Sequence, residues 1–163
     1  MRNVLEREQL IPRPRSEVFA FFADAANLER LTPPSLRFEI RTPPPIVMAA
    51  GTVIDYRIAL FGVGFGWRTV IESFEPERRF VDVQVAGPYR FWRHEHTFSD
   101  GTDGTERAGG TLVHDRVEYE VPYGPLGRVV QALFVRRQVE RIFDFRRRAL
   151  AEHFPARAAP PTA

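Results

Sequence analysis

The sequence predicts an α+β domain in which a curved sheet of seven antiparallel strands surrounds one long C-terminal helix. Three observations lead to this prediction. Segments that alternate between apolar and polar residues recur along most of the chain up to residue 121. Two short helical segments interrupt them between the first strand and the second. From residue 125 to residue 153 the apolar residues instead follow a helical spacing, over a length sufficient to cover one face of the sheet.

The first strand and the two short helices occupy the N-terminal quarter of the chain. Residues 3–11 alternate weakly between apolar and polar side chains, and prolines follow them directly. The apolar run 18–22 predicts one short helix, and Asp24 is suited to cap a second helix that ends at Pro33. Two short helices joined so closely are typical of a lid or clasp, and we call residues 15–36 the clasp.

Six more segments read as strands because they alternate in the same way. They lie at about residues 36–42, 52–61, 65–74, 79–86, 89–99 and 110–121. The segment 79–86 leaves its inner face undecided, because three valines alternate there with Asp82 and Gln84 and either set could face the interior.

The C-terminal helix carries two apolar stripes that are rotated relative to each other around its axis. The first consists of Leu126, Val130 and Leu133, and the second of Val139, Ile142, Phe143 and Ala149. The apolar stripe changes its position around the helix axis near residues 135–137, which indicates a kink in the helix. Arginines lie opposite the second stripe with Glu140 and Asp144 among them, at spacings that predict a solvated face with ion pairs.

Composition limits the classes of function. The chain has 163 residues, and we expect residues 1–154 to form a single domain and 155–163 a disordered tail. It has no cysteine, which excludes disulfides and cysteine-ligated metals. All 23 basic residues are arginine, so Schiff-base chemistry through lysine is excluded as well.

Charge and hydropathy predict the cellular compartment of the protein and the classes of partner it lacks. The net charge is only +2 and acids are interleaved with the arginines, so we expect no nucleic-acid partner. No apolar run approaches the length of about 18 residues that a membrane span needs, and the N-terminus lacks the apolar core of a signal peptide. We therefore expect a cytoplasmic protein without integral membrane association, either a monomer or a homodimer.

The last two predicted strands bring ionisable residues onto an apolar face. One face of the first carries Trp92, His94, His96 and Phe98, and one face of the second carries Val113, Asp115, Val117 and Tyr119. A loop that closes symmetrically near Gly104 places His94 opposite Asp115. The same register pairs Trp92 with Val117 and His96 with Val113. Buried ionisable groups are costly unless they are paired, so this group is either an internal hydrogen-bonded pair or a site.

Three interpretations of this group remain open. Two imidazoles and a carboxylate suit a divalent metal, but no fourth protein ligand is evident, so we expect no metal and no other cofactor. His94 and Asp115 are the candidate catalytic residues, as an acid/base pair in which the carboxylate orients the imidazole. In the third interpretation, which we adopt, the pair orients a polar group of a bound ligand or only satisfies its own hydrogen bonds.

The order of elements and three sequence segments resemble the START/SRPBCC superfamily. The segments are LTPPSLRFEI, RFWRHEHTF and GTLVHDRVEYEVPYGPLG, and the resemblance covers roughly residues 2–152. The superfamily has the helix-grip fold and includes the birch pollen allergen, StAR-related lipid-transfer domains and polyketide aromatase/cyclases. More narrowly, the chain resembles a bacterial subgroup of ligand-binding SRPBCC proteins often labelled "cell division inhibitor". The resemblance implies an internal hydrophobic pocket but not catalysis, because most such domains only bind.

We therefore expect the protein to bind a lipid-like or polycyclic small molecule between the sheet and the C-terminal helix. The expected lining residues are Tyr56, Ile58, Trp67, Trp92, His94, His96, Phe98, Asp115, Val117, Tyr119, Val139, Ile142 and Phe143. One alternative is a polyketide cyclase/aromatase-like or dehydratase-like enzyme that uses the His94–Asp115 pair. Another is a non-catalytic interaction module that exposes Phe19 or Phe22 of the clasp to a partner.

Overall fold

The computed structural model describes residues 2–60, 62–101, 110–122, 124 and 134–155. Its strands are β1 (Asn3–Ile11), β2 (Glu39–Ile40), β3 (Val53–Leu60), β4 (Val63–Glu75), β5 (Arg79–Ala86), β6 (Phe91–Gly101) and β7 (Gly110–Glu120). Its α-helices are α1 (Arg15–Phe22) and α2 (Arg136–His153), and the 3₁₀ turns Ala25–Leu28 and Pro34–Leu36 lie between α1 and β2. The strands form one seven-stranded sheet in the order β1-β7-β6-β5-β4-β3-β2.

All neighbouring strands in this sheet are antiparallel, so the predicted fold class is confirmed. Successive strands from β2 to β7 lie side by side, and β1 joins the far edge by pairing with β7. The strand predicted at 36–42 is the one that differs most, because only Glu39 and Ile40 pair with β3. The clasp therefore extends almost to the edge of the sheet.

A bulge in β4 determines which side chains of that strand face inward. Ile71 pairs with Asp82 and Ser73 pairs with Val81, so Glu72 is an extra residue on β4. Before the bulge, Trp67, Thr69 and Ile71 are buried on the inner face. After it the alternation changes phase, and Phe74 also packs against the buried core.

The predicted register of β6 and β7 is wrong by two residues. His94 pairs with Val117 instead of Asp115, and Asp115 pairs with His96. Trp92 correspondingly pairs with Tyr119 instead of Val117, and Phe98 takes the place predicted for His96 opposite Val113. A shift of two residues keeps every side chain on its predicted face, because the side-chain period of a strand is two.

Two glycines lie where this hairpin begins to pair. Gly101 pairs with Gly110, which centres the connection one residue beyond the predicted position. A Cβ atom on Gly110 would lie 2.6 Å from the carbonyl oxygen of Ile11, and one on Gly101 would lie 2.3 Å from the side chain of Leu10. Because the backbone of β1 lies so close to Gly110, a residue with a side chain there would displace β1, whereas a side chain at Gly101 would mainly displace the flexible end of Leu10.

Helix α2 packs on the inner face of the sheet. Val139 and Phe143 contact Val117 and Tyr119 of β7, and Leu150 packs further along with the residues of α1. On the outward side, Arg136 Nε donates to Glu140 Oε1 at 3.0 Å, as the predicted ion-paired face requires. The predicted stripe of Leu126, Val130 and Leu133 lies outside the described residues, as does the tail from residue 156. None of the described helices is long and apolar enough to cross a membrane.

The clasp is part of the core. Asp24 caps the turn Ala25–Leu28 by accepting a hydrogen bond from the amide of Ala26, as predicted. Phe19 and Phe22, which the alternative of an interaction module would expose to a partner, are only 5% and 6% exposed. The expected exposure is wrong, because both rings pack against other aromatic side chains, among them Phe98.

Candidate functional site

A partly open cavity of about 150 Å³ lies between the clasp, strands β3–β6 and helix α2. Its wall is mostly apolar and aromatic. It includes eight of the residues predicted from the sequence: Tyr56, Ile58, Trp67, Trp92, His94, His96, Ile142 and Phe143. These residues come from β3, β4, β6 and α2, so the cavity lies between the sheet and the C-terminal helix.

The other five predicted lining residues lie outside this wall. Phe98 packs under α1, while Val117, Tyr119 and Val139 pack against one another where α2 covers β7. Asp115 lies behind the histidines and borders a smaller cavity between β1 and α2. Because α2 covers the inner face of β7, the larger cavity opens toward the opposite half of the sheet.

The sequence did not identify two charged residues of the wall. Asp82 lies on β5 directly opposite His94, so the polar residue and not the valines faces the cavity there. Arg146 on α2 is 8% exposed and borders the cavity beside Phe143. A signal for Arg146 was present, since it follows Val139 by seven residues and Ile142 by four and so continues their stripe.

Three side chains form a hydrogen-bonded group in the aromatic part of the wall. The indole nitrogen of Trp67 donates to Thr69 Oγ1 at 3.0 Å, and the hydroxyl of Tyr56 is 3.1 Å from the same oxygen. Burial raises the pKa of Tyr56 well above its usual value, and the nearby Asp82 raises it further. The Tyr56 hydroxyl therefore stays protonated at neutral pH and is available as a donor.

We expect Tyr56 to make the protein sensitive to alkaline pH. In the unfolded chain the pKa of a tyrosine is about 10, and the raised pKa of Tyr56 in the folded protein contributes stability that is fully present below this pH. That stability is lost as the pH rises above it. The loss should be up to about 1.4 kcal/mol per pH unit, and it should be shallower in Tyr56→Phe. Urea unfolding at a series of alkaline pH values measures it, and equal slopes in both proteins would contradict the assignment to Tyr56.

Asp115 is the centre of a buried polar cluster that also contains His94, His96, Asp82 and Arg146. Its Oδ1 atom is 3.1 Å from His94 Nε2 and 2.6 Å from His96 Nδ1. The predicted contact between His94 and Asp115 is therefore present, although the two residues are diagonal and not directly opposite. Because an ionised carboxylate only accepts hydrogen bonds, His94 Nε2 carries a hydrogen, whereas His96 Nδ1 also lies 3.3 Å from the donor Nη2 of Arg146.

Arg146 keeps Asp115 ionised. Burial on its own raises the pKa of Asp115, but the Arg146 guanidinium, His96 and the two imidazole hydrogen bonds outweigh burial and hold the pKa well below its usual range. Arg146 Nη2 lies 3.6 Å from Asp115 Oδ1. The guanidinium carbon also lies 4.9 Å from the ring centroid of Phe22 and 5.9 Å from that of Phe143.

His94 is neutral in this environment. Burial lowers its pKa to about 4, and the neighbouring His96 lowers it too, while hydrogen bonding to Asp115 and the charge of Asp82 act in the opposite direction. The two imidazole centroids are only 3.8 Å apart. A histidine with this pKa is a weak general base at neutral pH, which favours a binding role over an acid/base role.

Asp82 faces the two imidazoles from the side opposite Asp115. Its Oδ2 atom lies 3.4 Å from His96 Nε2 and 3.7 Å from His94 Nδ1. The Nε atom of Arg146 is buried and has no hydrogen-bond partner within the described residues. The cluster thus presents a carboxylate, two ring nitrogens and an unpaired guanidinium donor, and all but Asp115 border the cavity.

A curved antiparallel sheet around one long helix, with an apolar cavity between them, defines a helix-grip protein. Residues 11–143 match the model of a family described as "Polyketide cyclase / dehydrase and lipid transport", and the chain belongs to this family. The description covers both lipid transport and cyclase or dehydrase chemistry, so membership is compatible with ligand binding and with turnover. No curated protein matches the sequence significantly.

Solved structures share the fold at low sequence identity. The crystal structure of Ara h 8.0201 is 16% identical, covers 93% of this chain and 99% of its own, and has a TM-score of 0.58. Ginseng major latex-like protein 151 from Panax ginseng is 13% identical over 94% of this chain and 98% of its own, with a TM-score of 0.61. The protein TTHA0849 from Thermus thermophilus is 18% identical over 93% of this chain and 99% of its own, with a TM-score of 0.62.

Proposed function

We propose that the protein binds a lipid-like or polycyclic small molecule in the internal cavity, with a polar group of the ligand at the charged cluster. The observation that carries this proposal is the cavity itself, about 150 Å³ of space with a mostly apolar wall and charged groups at one end. Close-packed proteins rarely leave voids of this size unfilled, because their lining loses dispersion contacts. Occupation by an apolar molecule restores those contacts.

The wall also favours an amphipathic ligand over a purely apolar one. Arg146 Nε lacks a partner among the described residues, and leaving a buried donor unpaired costs about 1–3 kcal/mol. A ligand carbonyl or hydroxyl oxygen at this end would accept from it. The aromatic rings of Trp67, Tyr89 and Trp92 would cover the apolar part of the ligand.

Turnover is the second candidate function, and one observation favours it. The Asp115 carboxylate, 2.6 Å from His96 Nδ1, orients an imidazole at the cavity wall, as acid/base catalysis requires. A cyclase-like or dehydratase-like enzyme would convert its ligand, whereas a binding protein would release it unchanged. Native mass spectrometry of protein purified from its source, followed by incubation with the identified ligand, distinguishes the two.

A side chain that fills the cavity should prevent binding. Ile142 lies on α2 and faces the cavity, so Ile142→Trp should occupy the space that the ligand needs. We expect the affinity for the apolar dye anilinonaphthalene sulfonate to fall at least about tenfold, equivalent to about 1.4 kcal/mol. Fluorescence titration measures this change.

The matched control places the same indole outside the cavity. Val85 on β5 is 55% exposed, and Val85→Trp should leave dye affinity unchanged. Circular dichroism and urea unfolding establish that both variants are folded. Equal dye affinity in Ile142→Trp and the wild type would reject the cavity as the binding site.

A further inference from the structure

We propose that Asp82, His94 and His96 form a binding site for a divalent transition-metal ion, with Zn²⁺ as the best fit. The proposal concerns the charged end of the cavity and does not depend on whether the cavity takes an apolar ligand. The sequence prediction excluded a metal because no further protein ligand was evident besides His94, His96 and Asp115. The structure supplies Asp82 as a ligand and gives Asp115 a different role.

Two of the three separations between the ligand atoms are close to those around a tetrahedral ion. Asp82 lies directly across from His94 in the sheet, and His96 is two residues further along the same face of β6. Their ligand atoms lie within 4.8 Å of one another. The distances from Asp82 Oδ2 to the two ring nitrogens, 3.4 and 3.7 Å, are close to the separation of about 3.3–3.6 Å expected between ligands of a tetrahedral Zn²⁺.

Asp115 fixes the tautomer of His94 that metal binding needs. It accepts a hydrogen bond from His94 Nε2, the ring nitrogen that does not face Asp82. The lone pair of the neutral His94 ring therefore lies on Nδ1, which is 3.7 Å from Asp82 Oδ2, and Nε2 of His96 is 3.4 Å from the same oxygen. A carboxylate that holds ligating histidines by their other nitrogen is the usual outer partner of a metal site.

The arginine of the cluster lies away from the proposed ion. The guanidinium of Arg146 is 3.6 Å from Asp115 Oδ1 and 3.3 Å from His96 Nδ1, on the side of the rings away from Asp82. A metal ion beside Asp82 would therefore lie across the imidazole rings from the guanidinium and not against it.

The site has room for a ligand on the ion. All three metal-binding residues border the cavity, so a fourth coordination position faces it. Three protein ligands and one open position are characteristic of zinc sites that bind an exogenous molecule or water. The ion would bind a carbonyl or hydroxyl oxygen at the polar end of the cavity.

The experiment titrates chelator-treated protein with Zn²⁺ by isothermal calorimetry and with Co²⁺ by visible absorption. We expect one ion per chain and the intense d–d bands of four-coordinate Co²⁺. Asp82→Asn, His94→Ala and His96→Ala should each abolish these bands, and Asp115→Asn should weaken affinity about 10–100-fold. Circular dichroism and urea unfolding show that each variant is folded.

Matched controls remove the same chemical groups elsewhere. His114→Gln changes a histidine on the other face of β7, and Asp55→Asn changes the exposed partner of Arg68. Both should bind like the wild type. Absence of binding, binding that survives Asp82→Asn, or binding lost in His114→Gln would overturn the proposal. So would NMR that shows a doubly protonated imidazole between the carboxylates in protein saturated with Zn²⁺.

Discussion

Replacing Arg146 by methionine should destabilise the protein by about 3–5 kcal/mol, although the two side chains have similar length. The variant leaves the Asp115 carboxylate buried without its guanidinium. The ionised Asp115 carboxylate still carries the desolvation penalty of burial, but it loses the compensating positive charge 3.6 Å away. Urea unfolding at neutral pH measures the change in the free energy of unfolding.

Two further variants test this explanation. Arg148 lies two residues along α2 and is exposed, so Arg148→Met should change stability by less than about 0.5 kcal/mol. Asp115→Asn in the Arg146→Met background removes the unpaired charge, and the double variant should lose less stability than the sum of the two single variants. Additive losses would mean that Arg146 stabilises the protein by packing on Phe22 and Phe143 and not by charge.

The second large effect is expected from Phe19→Ala, at about 3–5 kcal/mol. The Phe19 ring lies 5.5 Å from Phe74, 6.1 Å from Phe80 and 5.1 Å from Phe98, between ring centroids. Truncation leaves a void among these rings and detaches α1 from the sheet. Because α1 also carries Phe22 into the cavity wall, dye affinity should fall along with the midpoint of thermal unfolding.

An exposed apolar residue serves as the control for this truncation. Val47 is 75% exposed, and Val47→Ala should leave stability within about 0.5 kcal/mol of the wild type. A loss below about 1 kcal/mol in Phe19→Ala would show that the clasp contributes little to folding. In that case its rings would act mainly as a cover for the cavity.

The fold was predictable from the sequence because periodicity reports burial directly. The alternation on β6 and β7 assigned Trp92, His94 and Asp115 to the inner face, and the structure has them there. The register was not predictable in the same way, since a shift of two residues leaves every apolar side chain buried. Contacts between residues distant in the sequence also bear on the register, such as the close approach of the Ile11 backbone on β1 to Gly110.

The candidate site was only half predictable for a related reason. Asp82 alternates with valines on a strand where both faces have buried side chains, so its orientation depends on neighbouring strands. Arg146 continued an apolar stripe, but an arginine there resembles the other arginines of α2 until Asp115 is placed beside it. Buried charged residues are paired with opposite charges that are distant in the sequence. A local sequence pattern therefore shows each charged residue without its partner.

The aromatic wall gives the protein an optical property of its own. Trp67 and Trp92 are the only two tryptophans of the chain, and their rings meet edge to face with centroids 5.2 Å apart. All indole emission therefore originates at the surface of the cavity. Two chromophores so close and so differently oriented also couple electronically, and the resulting circular dichroism depends on their mutual angle. Whatever enters or leaves the cavity can thus be followed in the unlabelled protein by light alone.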